Sequence, residues 1–255
     1  IALTRPVSAS LAECVLTHLD RVPIDVARAC EEHAAYERAL EEAGCVVRRL
    51  AGADELPDAV FIEDTAVVLD ELAVLTLPGA ASRRPEVDDV AAALRDLRPV
   101  ARIHPPGTLD GGDVLRVGRT LYVGLGARST VEGIAQLRDL CAPYGYQVRA
   151  VPFRGCLHLK SAVTAIADDL LLVNPAWADP RELDGCATLA VDPAEPFAGN
   201  ALLVNGRVLH GAHFPRTQAW MRAAGLDVLP VPAGELAKAE GGVTCCSLLV
   251  GVPPA

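Results

Sequence analysis

Two adjacent cysteines at the start of a short apolar stretch are the first candidates for a nucleophile in the sequence. Cys245 and Cys246 follow a Gly-Gly-Val-Thr run that begins at Gly241, and they precede Ser-Leu-Leu-Val. Glycine permits positive φ values and leaves room for a ligand to approach the backbone, so a thiol here can be held at the edge of a cavity. A free cysteine is more often a small buried residue, and this stretch alone does not decide between a nucleophile and a core position.

A histidine that begins another apolar stretch supplies the base that a nucleophilic thiol needs. His158 lies in the run Leu-His-Leu-Lys-Ser-Ala-Val. Cysteine and histidine form a nucleophile–base pair in covalent catalysis, and a carboxylate on the far side of the imidazole fixes its tautomer. Asp110, which opens the run Asp-Gly-Gly-Asp-Val-Leu, is the candidate for that carboxylate. A lone histidine is most often a core residue. His158, however, begins an apolar stretch in the same way as Cys245 does, and this equivalent position favours a catalytic role.

Further carboxylates at the starts of apolar stretches indicate a cationic substrate. Glu63, Asp64 and Asp113 lie at such starts, and several carboxylates in one apolar pocket repel each other unless a cation balances them. No Cys/His metal-binding set is apparent, so we expect no metal. The planar guanidinium is the organic cation that carboxylates bind with two parallel hydrogen bonds. Arg83 and Arg128 are candidates to bind a carboxylate of the same substrate, and the alternative for both is a solvated surface position.

A fivefold repeat accounts for the regular spacing of these polar residues. Each unit begins with polar residues and runs into an apolar strand; a second strand, a helix and a third strand follow. The unit starts are 42 to 48 residues apart, at Asp64, Asp110, His158, Asn200 and Cys245. Units this short must bury their faces against one another, and a closed ring with hairpins inside and helices outside achieves this.

The ring predicts an α/β fold of pseudo-fivefold ββαβ repeats in a single domain, residues 1–255. It places the polar starts around one central channel, which brings Cys245 and His158 together; the alternative is an ordinary α/β sheet. Asp25 is the predicted N-cap of a long helix and Gly44 its C-terminal glycine. Predicted helices span residues 10–19, 26–43, 85–97, 130–142 and 215–224, with a weaker candidate at 180–189, and predicted strands include 1–5 and 45–50.

Composition argues against several other classes of protein. The formal net charge of −10, the pI of about 5.1 and the lack of a Lys/Arg-rich run disfavour nucleic acid as a partner. No run of about 18 uncharged apolar residues predicts a membrane span, and no Gly-x-Gly-x-x-Gly motif or phosphate loop predicts a nucleotide, so we expect no cofactor. The eight cysteines are scattered and the first residues lack a signal-peptide pattern. These features favour reduced thiols in a cytoplasmic protein. We expect a monomer or homodimer.

Six short motifs together resemble the dimethylarginine dimethylaminohydrolases, a family of guanidine-modifying enzymes. They are Asp25-Val-Ala-Arg-Ala, Phe61-Ile-Glu-Asp, Pro78-Gly-Ala-Ala-Ser-Arg-Arg, Thr108-Leu-Asp-Gly-Gly-Asp-Val-Leu, Leu157-His-Leu-Lys-Ser and Thr244-Cys-Cys-Ser. The resemblance covers nearly the whole chain and is weakest over residues 177–196. Single motifs are shared with arginine deiminases and amidinotransferases, whereas the full set is more specific.

The resemblance implies a five-bladed α/β propeller (pentein) and a reaction. The substrates would be asymmetric dimethylarginine and monomethylarginine, and the products citrulline and dimethylamine or methylamine. A covalent alkylthiouronium intermediate would form on Cys245, the nucleophile, with His158 as general acid and base. Asp110 stands beside the imidazole where some relatives have Glu.

The same resemblance assigns the contacts to a small guanidino substrate. It implies Asp58, Glu63 and Asp64 as substrate-contacting carboxylates, Arg83 and Arg128 as contacts to the amino-acid end, Leu16 in a mobile lid, and Ala239 as a backbone contact to the α-amino group. Asp64 would bind the guanidinium. Family members often have a larger residue than alanine at the last position, so only its carbonyl is carried over.

Three alternatives stay open. An arginine deiminase would use the same chemistry with ammonia as the leaving group, although those enzymes usually carry an extra helical domain for which 255 residues leave no room. A binding propeller without chemistry, like the ribosome-binding proteins of this fold, would lack the cysteine and histidine, and the acidic charge argues against an RNA surface. Zinc held by Cys245 and His158 would be an inhibitor rather than a cofactor, because two protein ligands make a weak site.

Overall fold

Five sheets of three strands each organise the computed structural model, which describes residues 1–183 and 185–251. The strands are β1 Ala2–Thr4, β2 Val47–Arg49, β3 Ala66–Val68, β4 Ala73–Leu75, β5 Val100–Arg102, β6 Val114–Val117, β7 Thr120–Leu125, β8 Gln147–Pro152, β9 Val163–Ala165, β10 Leu170–Val173, β11 Ala187–Ala190, β12 Ala201–Val204, β13 Arg207–Gly211, β14 Asp227–Val231 and β15 Leu248–Leu249. The α-helices are α1 Val26–Glu42, α2 Glu86–Arg95, α3 Val131–Cys141, α4 Leu159–Ala162, α5 Pro215–Ala223 and α6 Gly234–Ala237.

Every sheet repeats one topology, an antiparallel pair followed by a parallel third strand. In the second sheet Val67 pairs with Val74 antiparallel, and Val74 pairs with Ala101 parallel. A parallel partner requires a crossover connection, and α1, α2, α3 and α5 supply it in four sheets. The predicted ββαβ repeat and the α/β propeller are therefore confirmed.

The two ends of the chain close the ring. Strand β1 pairs antiparallel with β15, where Ala2 faces Leu249, and parallel with β2. The N-terminal amine of Ile1 donates to the carbonyl of Val250 at 2.9 Å, and the Val250 N–H donates back at 2.8 Å. A central channel with an empty volume of about 1150 Å³ is lined by the first strands of the hairpins, β3, β6, β9, β12 and β15.

Helix boundaries follow the predicted signals closely. The Asp25 carboxylate accepts a hydrogen bond from the Arg28 N–H at 3.0 Å, and Gly44 has φ of +87°, so both predicted ends of α1 are confirmed. The N-cap hydroxyl of α3, on Thr130, accepts from the Gly133 N–H. Helices α2 and α5 lie within the predicted ranges. The predicted strands 1–5 and 45–50 are present as the shorter β1 and β2.

Two predicted helices are wrong. Within residues 10–19 the only regular element is one 3₁₀ turn, Leu11–Glu13, because backbone N–H groups of the later residues donate to distant carboxylates instead of to the preceding turn. Within 180–189 there is a 3₁₀ turn, Pro180–Glu182, and then β11; residue 184 lies outside the described residues. Here the fourth sheet takes the segment as its parallel third strand, which overrides local propensity.

The apolar core consists of five clusters between neighbouring elements of the ring. One cluster joins the second and third sheets through Val74, Leu121 and Leu137, which have no exposed surface. Truncation of one such leucine to alanine costs about 2–5 kcal/mol of unfolding free energy. This cluster therefore contributes strongly to holding the two neighbouring sheets together. Among the described residues no helix has the length and apolar character to cross a membrane.

Candidate active site

Three of the polar residues that begin the repeats, Asp64, His158 and Cys245, line one small cavity. The rest of its lining also comes from distant parts of the chain, from residue 15 to residue 245. Seven predicted site residues line it, namely Asp58, Asp64, Arg83, Arg128, His158, Ala239 and Cys245. Three others do not: Asp110 lies behind the imidazole, Glu63 lines the central channel, and Leu16 packs against the core beside the cavity-lining Val15.

Two glycines hold the Cys245 thiol at the edge of the cavity. The Gly242 N–H donates to Sγ at 3.3 Å, and a Cβ on Gly242 would lie only 2.4 Å from the Asn200 side-chain oxygen. A Cβ on Gly241 would lie 2.1 Å from the Phe61 ring. Only glycine therefore permits this close approach of the loop to its neighbours.

The Cys245 thiol is protonated in the unliganded protein. Burial, with the nearby carboxylates of Glu63 and Asp64, raises the pKa of this thiol to about 12. A thiolate, not a thiol, is the nucleophile. A cation that enters the cavity would oppose both carboxylates and lower this pKa, so the geometry couples thiol ionisation to the arrival of positive charge.

Cys246 faces the other way. It is buried in the core cluster that contains Tyr36, and its Sγ lies 3.6 Å from the Gly242 carbonyl oxygen. The Tyr36 hydroxyl is hydrogen-bonded to the next side chain, Ser247, at 2.6 Å. Cys246 is absent from the lining of the cavity. The two cysteines lie in a turn over residues 243–246, before β15 begins at Leu248, so the turn and not a strand separates their side chains.

His158 is paired with Asp110 behind the cavity. Nε2 lies 3.0 Å from Asp110 Oδ2, and the second oxygen of the carboxylate accepts from the Gly79 N–H at 2.8 Å. Burial lowers the pKa of His158, but the carboxylates of Asp64 and Asp110 outweigh it and raise that pKa to about 9. The ring is therefore an imidazolium at neutral pH and can act as an acid.

Asp64 lies between the imidazole and a buried guanidinium. Its Oδ1 is 3.7 Å from His158 Nδ1 and accepts from the Gly112 N–H at 2.8 Å, while its Oδ2 pairs with Arg83 Nη1. Burial alone would raise the pKa of Asp64, but His158 and Arg83 outweigh it and lower that pKa to about 2. The carboxylate is ionised and can bind a cation.

Glu63 points away from Asp64, towards the central channel. Its Oε1 pairs with Lys160 Nζ, and its Oε2 accepts from the Thr244 hydroxyl at 2.9 Å. Sequence reasoning missed Lys160 as a partner, although it follows His158 by two residues in the same motif. The ion pair lies at the boundary between the channel and the layer that holds the thiol.

Both predicted arginines are buried, so the surface alternative is wrong for each. Arg83 is 4% exposed and donates to Glu86 Oε2 at 2.8 Å and to the Phe61 carbonyl at 2.8 Å. Arg128 is 7% exposed, lies 3.6 Å from Asp110 and donates to the Thr17 hydroxyl at 3.2 Å. Both guanidinium groups line the cavity, where Arg83 is ion-paired with Asp64 and Glu86 and Arg128 lies beside Asp110.

Ser129 and Asp113 tie the backbones of the catalytic candidates together, and sequence reasoning missed the serine. The Ser129 hydroxyl donates to Asp113 at 2.6 Å and accepts from the Asp110 N–H at 3.1 Å. The other Asp113 oxygen accepts from the Leu159 N–H, next to His158, at 3.0 Å. Burial raises the pKa of Asp113 to about 6. This network fixes Asp110 and His158 relative to each other.

One group of potential metal ligands occurs in the described part of the chain. Asp64, Asp110 and His158 offer ligand atoms that lie within 4.8 Å of one another. The imidazole nitrogens of this group already face the two carboxylates, so the arrangement also fits an ion-paired imidazolium.

Known enzymes share much of this sequence and the same fold. The sequence is 41% identical over 248 residues to an N(G),N(G)-dimethylarginine dimethylaminohydrolase of Streptomyces coelicolor, covering 97% of this chain and 95% of that protein. It is 33% identical over 226 residues to the enzyme of the same name from Pseudomonas aeruginosa, covering 88% and 89%. A solved cysteine-to-serine mutant of the Pseudomonas enzyme, complexed with citrulline, superposes with a TM-score of 0.91 at 32% identity over 97% of each chain. No protein-family model matches the sequence.

Proposed function

The chain belongs to the dimethylarginine dimethylaminohydrolase family, and we propose that it hydrolyses asymmetric dimethylarginine and monomethylarginine to citrulline and dimethylamine or methylamine. The observation that carries this proposal is the cavity that joins the Cys245 thiol, the His158 imidazolium and the ionised Asp64 carboxylate. These are the nucleophile, the acid and the cation-binding group that cleavage of a guanidinium C–N bond requires.

Binding of the substrate cation starts the reaction. Asp64 accepts hydrogen bonds from the guanidinium, whose positive charge offsets the carboxylates that keep the pKa of Cys245 high. The thiol then loses its proton to solvent. Arg83 and Arg128 are the proposed contacts for the substrate carboxylate, and Asp58 and the Ala239 carbonyl for the α-ammonium end. The proposed contact of Glu63 with substrate needs a rearrangement, since Glu63 lines the central channel and not the cavity in the unliganded protein.

Attack and departure form the covalent intermediate. The Cys245 thiolate adds to the guanidinium carbon and gives a tetrahedral adduct. The His158 imidazolium gives its proton to the nitrogen that bears the methyl groups, the C–N bond breaks, and dimethylamine leaves. An alkylthiouronium remains on Cys245, and His158 is now neutral. Asp110 keeps the imidazole oriented through both proton transfers.

Hydrolysis returns the enzyme to its starting charge state. Neutral His158 takes a proton from water, and the hydroxide adds to the carbon of the alkylthiouronium. Collapse of the second tetrahedral adduct breaks the C–S bond and releases citrulline, and the hydroxyl proton of the adduct passes to the departing sulfur, so that a Cys245 thiol again lies beside the His158 imidazolium. One water is consumed, and one amine is released for each turnover.

Product analysis tests the proposal. Purified protein is incubated with asymmetric dimethylarginine, monomethylarginine or unmodified arginine, and citrulline and the released amine are quantified in each case. We expect citrulline and dimethylamine or methylamine in equal amounts from the methylated substrates. Citrulline and ammonia from arginine as the preferred substrate would instead identify a deiminase, and no product from any of the three would overturn the enzymatic reading.

The remaining properties are proposals that follow from sequence alone. We infer a small-molecule substrate without a nucleic-acid partner, because the net charge is −10 and like-charged surfaces repel a polyanion. A cytoplasmic location, a monomeric or homodimeric state and one domain over residues 1–255 complete the proposal. Residues 184 and 252–255 lie outside the described structure.

A further inference from the structure

One carboxylate binds three successive backbone N–H groups from the opposite end of the chain. Glu240 accepts from Thr17 at 3.0 Å, from Leu19 at 2.7 Å and from His18 between them. More than 220 residues separate the carboxylate from these donors. Hydrogen bonds to an ionised acceptor are roughly twice as strong as neutral ones. The Glu240 carboxylate therefore holds residues 17–19 firmly through a single side chain.

Glu240 adopts a backbone conformation that non-glycine residues rarely take. Its φ is +59°, in the left-handed region, where residues other than Gly, Asn and Asp are uncommon. Two glycines follow it and lead directly to the Cys245 loop. Such local strain persists only where the surroundings fix it, and it clusters at functional positions. Glu240 itself lines the cavity, as does the following Gly241.

The attached segment forms one wall of the cavity and has little structure of its own. Residues 14–25 contain no helix or strand, and Val15 lines the cavity. Within residues 15–19, two other charged groups make hydrogen bonds: the Asp58 carboxylate accepts from the Val15 N–H at 3.2 Å, and Arg128 donates to the Thr17 hydroxyl at 3.2 Å.

Bound substrate competes for two of these three attachments, those of Asp58 and Arg128, but not for that of Glu240. The proposed function gives Asp58 and Arg128 to the two charged groups of the substrate's amino-acid end, so bound substrate competes with the segment for both. Glu240 has no proposed substrate contact. Its three hydrogen bonds therefore persist when substrate occupies the cavity, and they are the attachment that can keep residues 15–19 closed above it.

We propose that Glu240 is a positioning residue that latches residues 15–19 over the occupied cavity. This inference rests on the proposed function for its effect on catalysis, but the latch itself is a property of the unliganded protein. Loss of the latch opens the segment, weakens retention of substrate and raises KM more than it lowers kcat, because the Cys245–His158–Asp110 constellation does not include Glu240.

The test compares two latch variants with a matched control. Glu240→Gln keeps the shape but replaces the charge with an amide whose NH₂ group repels the N–H donors. Glu240→Gly removes the carboxylate and relieves the positive φ. The control is Glu195→Gln, since the Glu195 carboxylate also accepts from two successive N–H groups, Arg216 at 2.9 Å and Thr217 at 2.8 Å, away from the cavity.

Two readouts separate the latch from the reaction. Hydrogen exchange of the Thr17–Leu19 amides in unliganded protein should accelerate about tenfold or more in both latch variants, since loss of about 1.4 kcal/mol is a factor of ten, and stay unchanged in Glu195→Gln. KM for asymmetric dimethylarginine should rise by a similar factor. Unchanged exchange in Glu240→Gly would overturn the latch whatever the activity, and accelerated exchange with an unchanged KM would overturn its role in substrate retention.

Discussion

Asp110 Oδ2 lies 3.0 Å from His158 Nε2, and the two residues open successive repeats 48 positions apart. The two residues therefore meet because they occupy equivalent positions in neighbouring repeats of the ring, and not because they belong to one local motif. The carboxylate has no exposed surface, so its charge acts on the imidazole with little screening by solvent.

Substitution of Asp110 by Asn should make His158 a weaker acid–base group at working pH. Removal of the negative charge lowers the pKa of the imidazole from about 9, so less imidazolium is available to protonate the leaving amine. We expect kcat/KM at pH 7.5 to fall about 10²–10⁴-fold, and the alkaline limb of its pH profile to move to lower pH. The exposed Asp88, paired with Arg102, gives the control Asp88→Asn; an alkaline limb that stays in place in Asp110→Asn contradicts the pairing.

The adjacent cysteines should respond to serine in opposite ways. Cys245→Ser removes the nucleophile, and we expect a loss of at least ~10³-fold in kcat. Cys246→Ser places a hydroxyl in an apolar cluster, which destabilises the fold by about 1–3 kcal/mol but leaves the thiol of the cavity intact. Steady-state kinetics and urea unfolding on both variants check this. Parent-like turnover by Cys245→Ser would show that another group attacks the substrate.

A glycine between two charged side chains should tolerate no methyl group. A Cβ on Gly112 would lie 2.6 Å from Asp64 Oδ1 and 2.6 Å from His158 Nδ1. Both groups must shift in Gly112→Ala, and displacement of about 1 Å at a reacting centre costs on the order of 10²-fold in rate. Gly52→Ala is the matched control, because its Cβ would meet only Pro6 at 3.6 Å. Equal kcat/KM for the two variants would mean that the site adapts to the methyl group.

The sequence was informative wherever a residue's role follows from its place in a repeat. Asp64, His158 and Cys245 begin apolar strands at a regular interval, and that interval alone predicts that they meet in the ring. Glu63 shows the limit. It lies beside Asp64 in the 3₁₀ turn Ile62–Thr65, where successive side chains diverge by roughly 120°, so one carboxylate enters the cavity and the other meets Lys160.

Contacts between distant parts of the chain were the other limit. The sequence near residue 15 predicts a short helix, but the N–H groups of this segment donate to Asp58 and Glu240 instead. These acceptors lie 43 and 221 residues away from their donors in the sequence, so no local pattern predicts them. For a related reason the described residues between β10 and β11 include a 3₁₀ turn but no α-helix, since the pairing of β11 with β10 determines the conformation of the segment.

The ionisation of His158 should also appear in the stability of the unliganded protein. Its pKa is raised from 6.5 to about 9 on folding, so the folded state holds the proton more tightly than the unfolded chain does. That contribution is fully present below pH 6.5 and is lost as pH rises through 9. Between pH 6 and pH 8.5 we expect the free energy of unfolding to fall by about 2 kcal/mol from this group.

Urea unfolding of the parent and of His158→Gln across that range isolates the contribution. Burial lowers the pKa of the buried His33 and His210 to about 4, so both are neutral in the folded protein but bind protons in the unfolded chain below pH 6.5. They therefore raise stability as pH rises from 6, in parent and variant alike, and the contribution of His158 is the difference between the two profiles. The upper limit of pH 8.5 keeps the measurement below the ordinary cysteine pKa of 9.0, where thiols of the unfolded chain begin to ionise. Relative to His158→Gln, the parent should lose about 2 kcal/mol of unfolding free energy between pH 6 and pH 8.5. If parent and variant lose stability in parallel, the imidazole is neutral in the folded protein, and it could not protonate the departing amine in the way proposed.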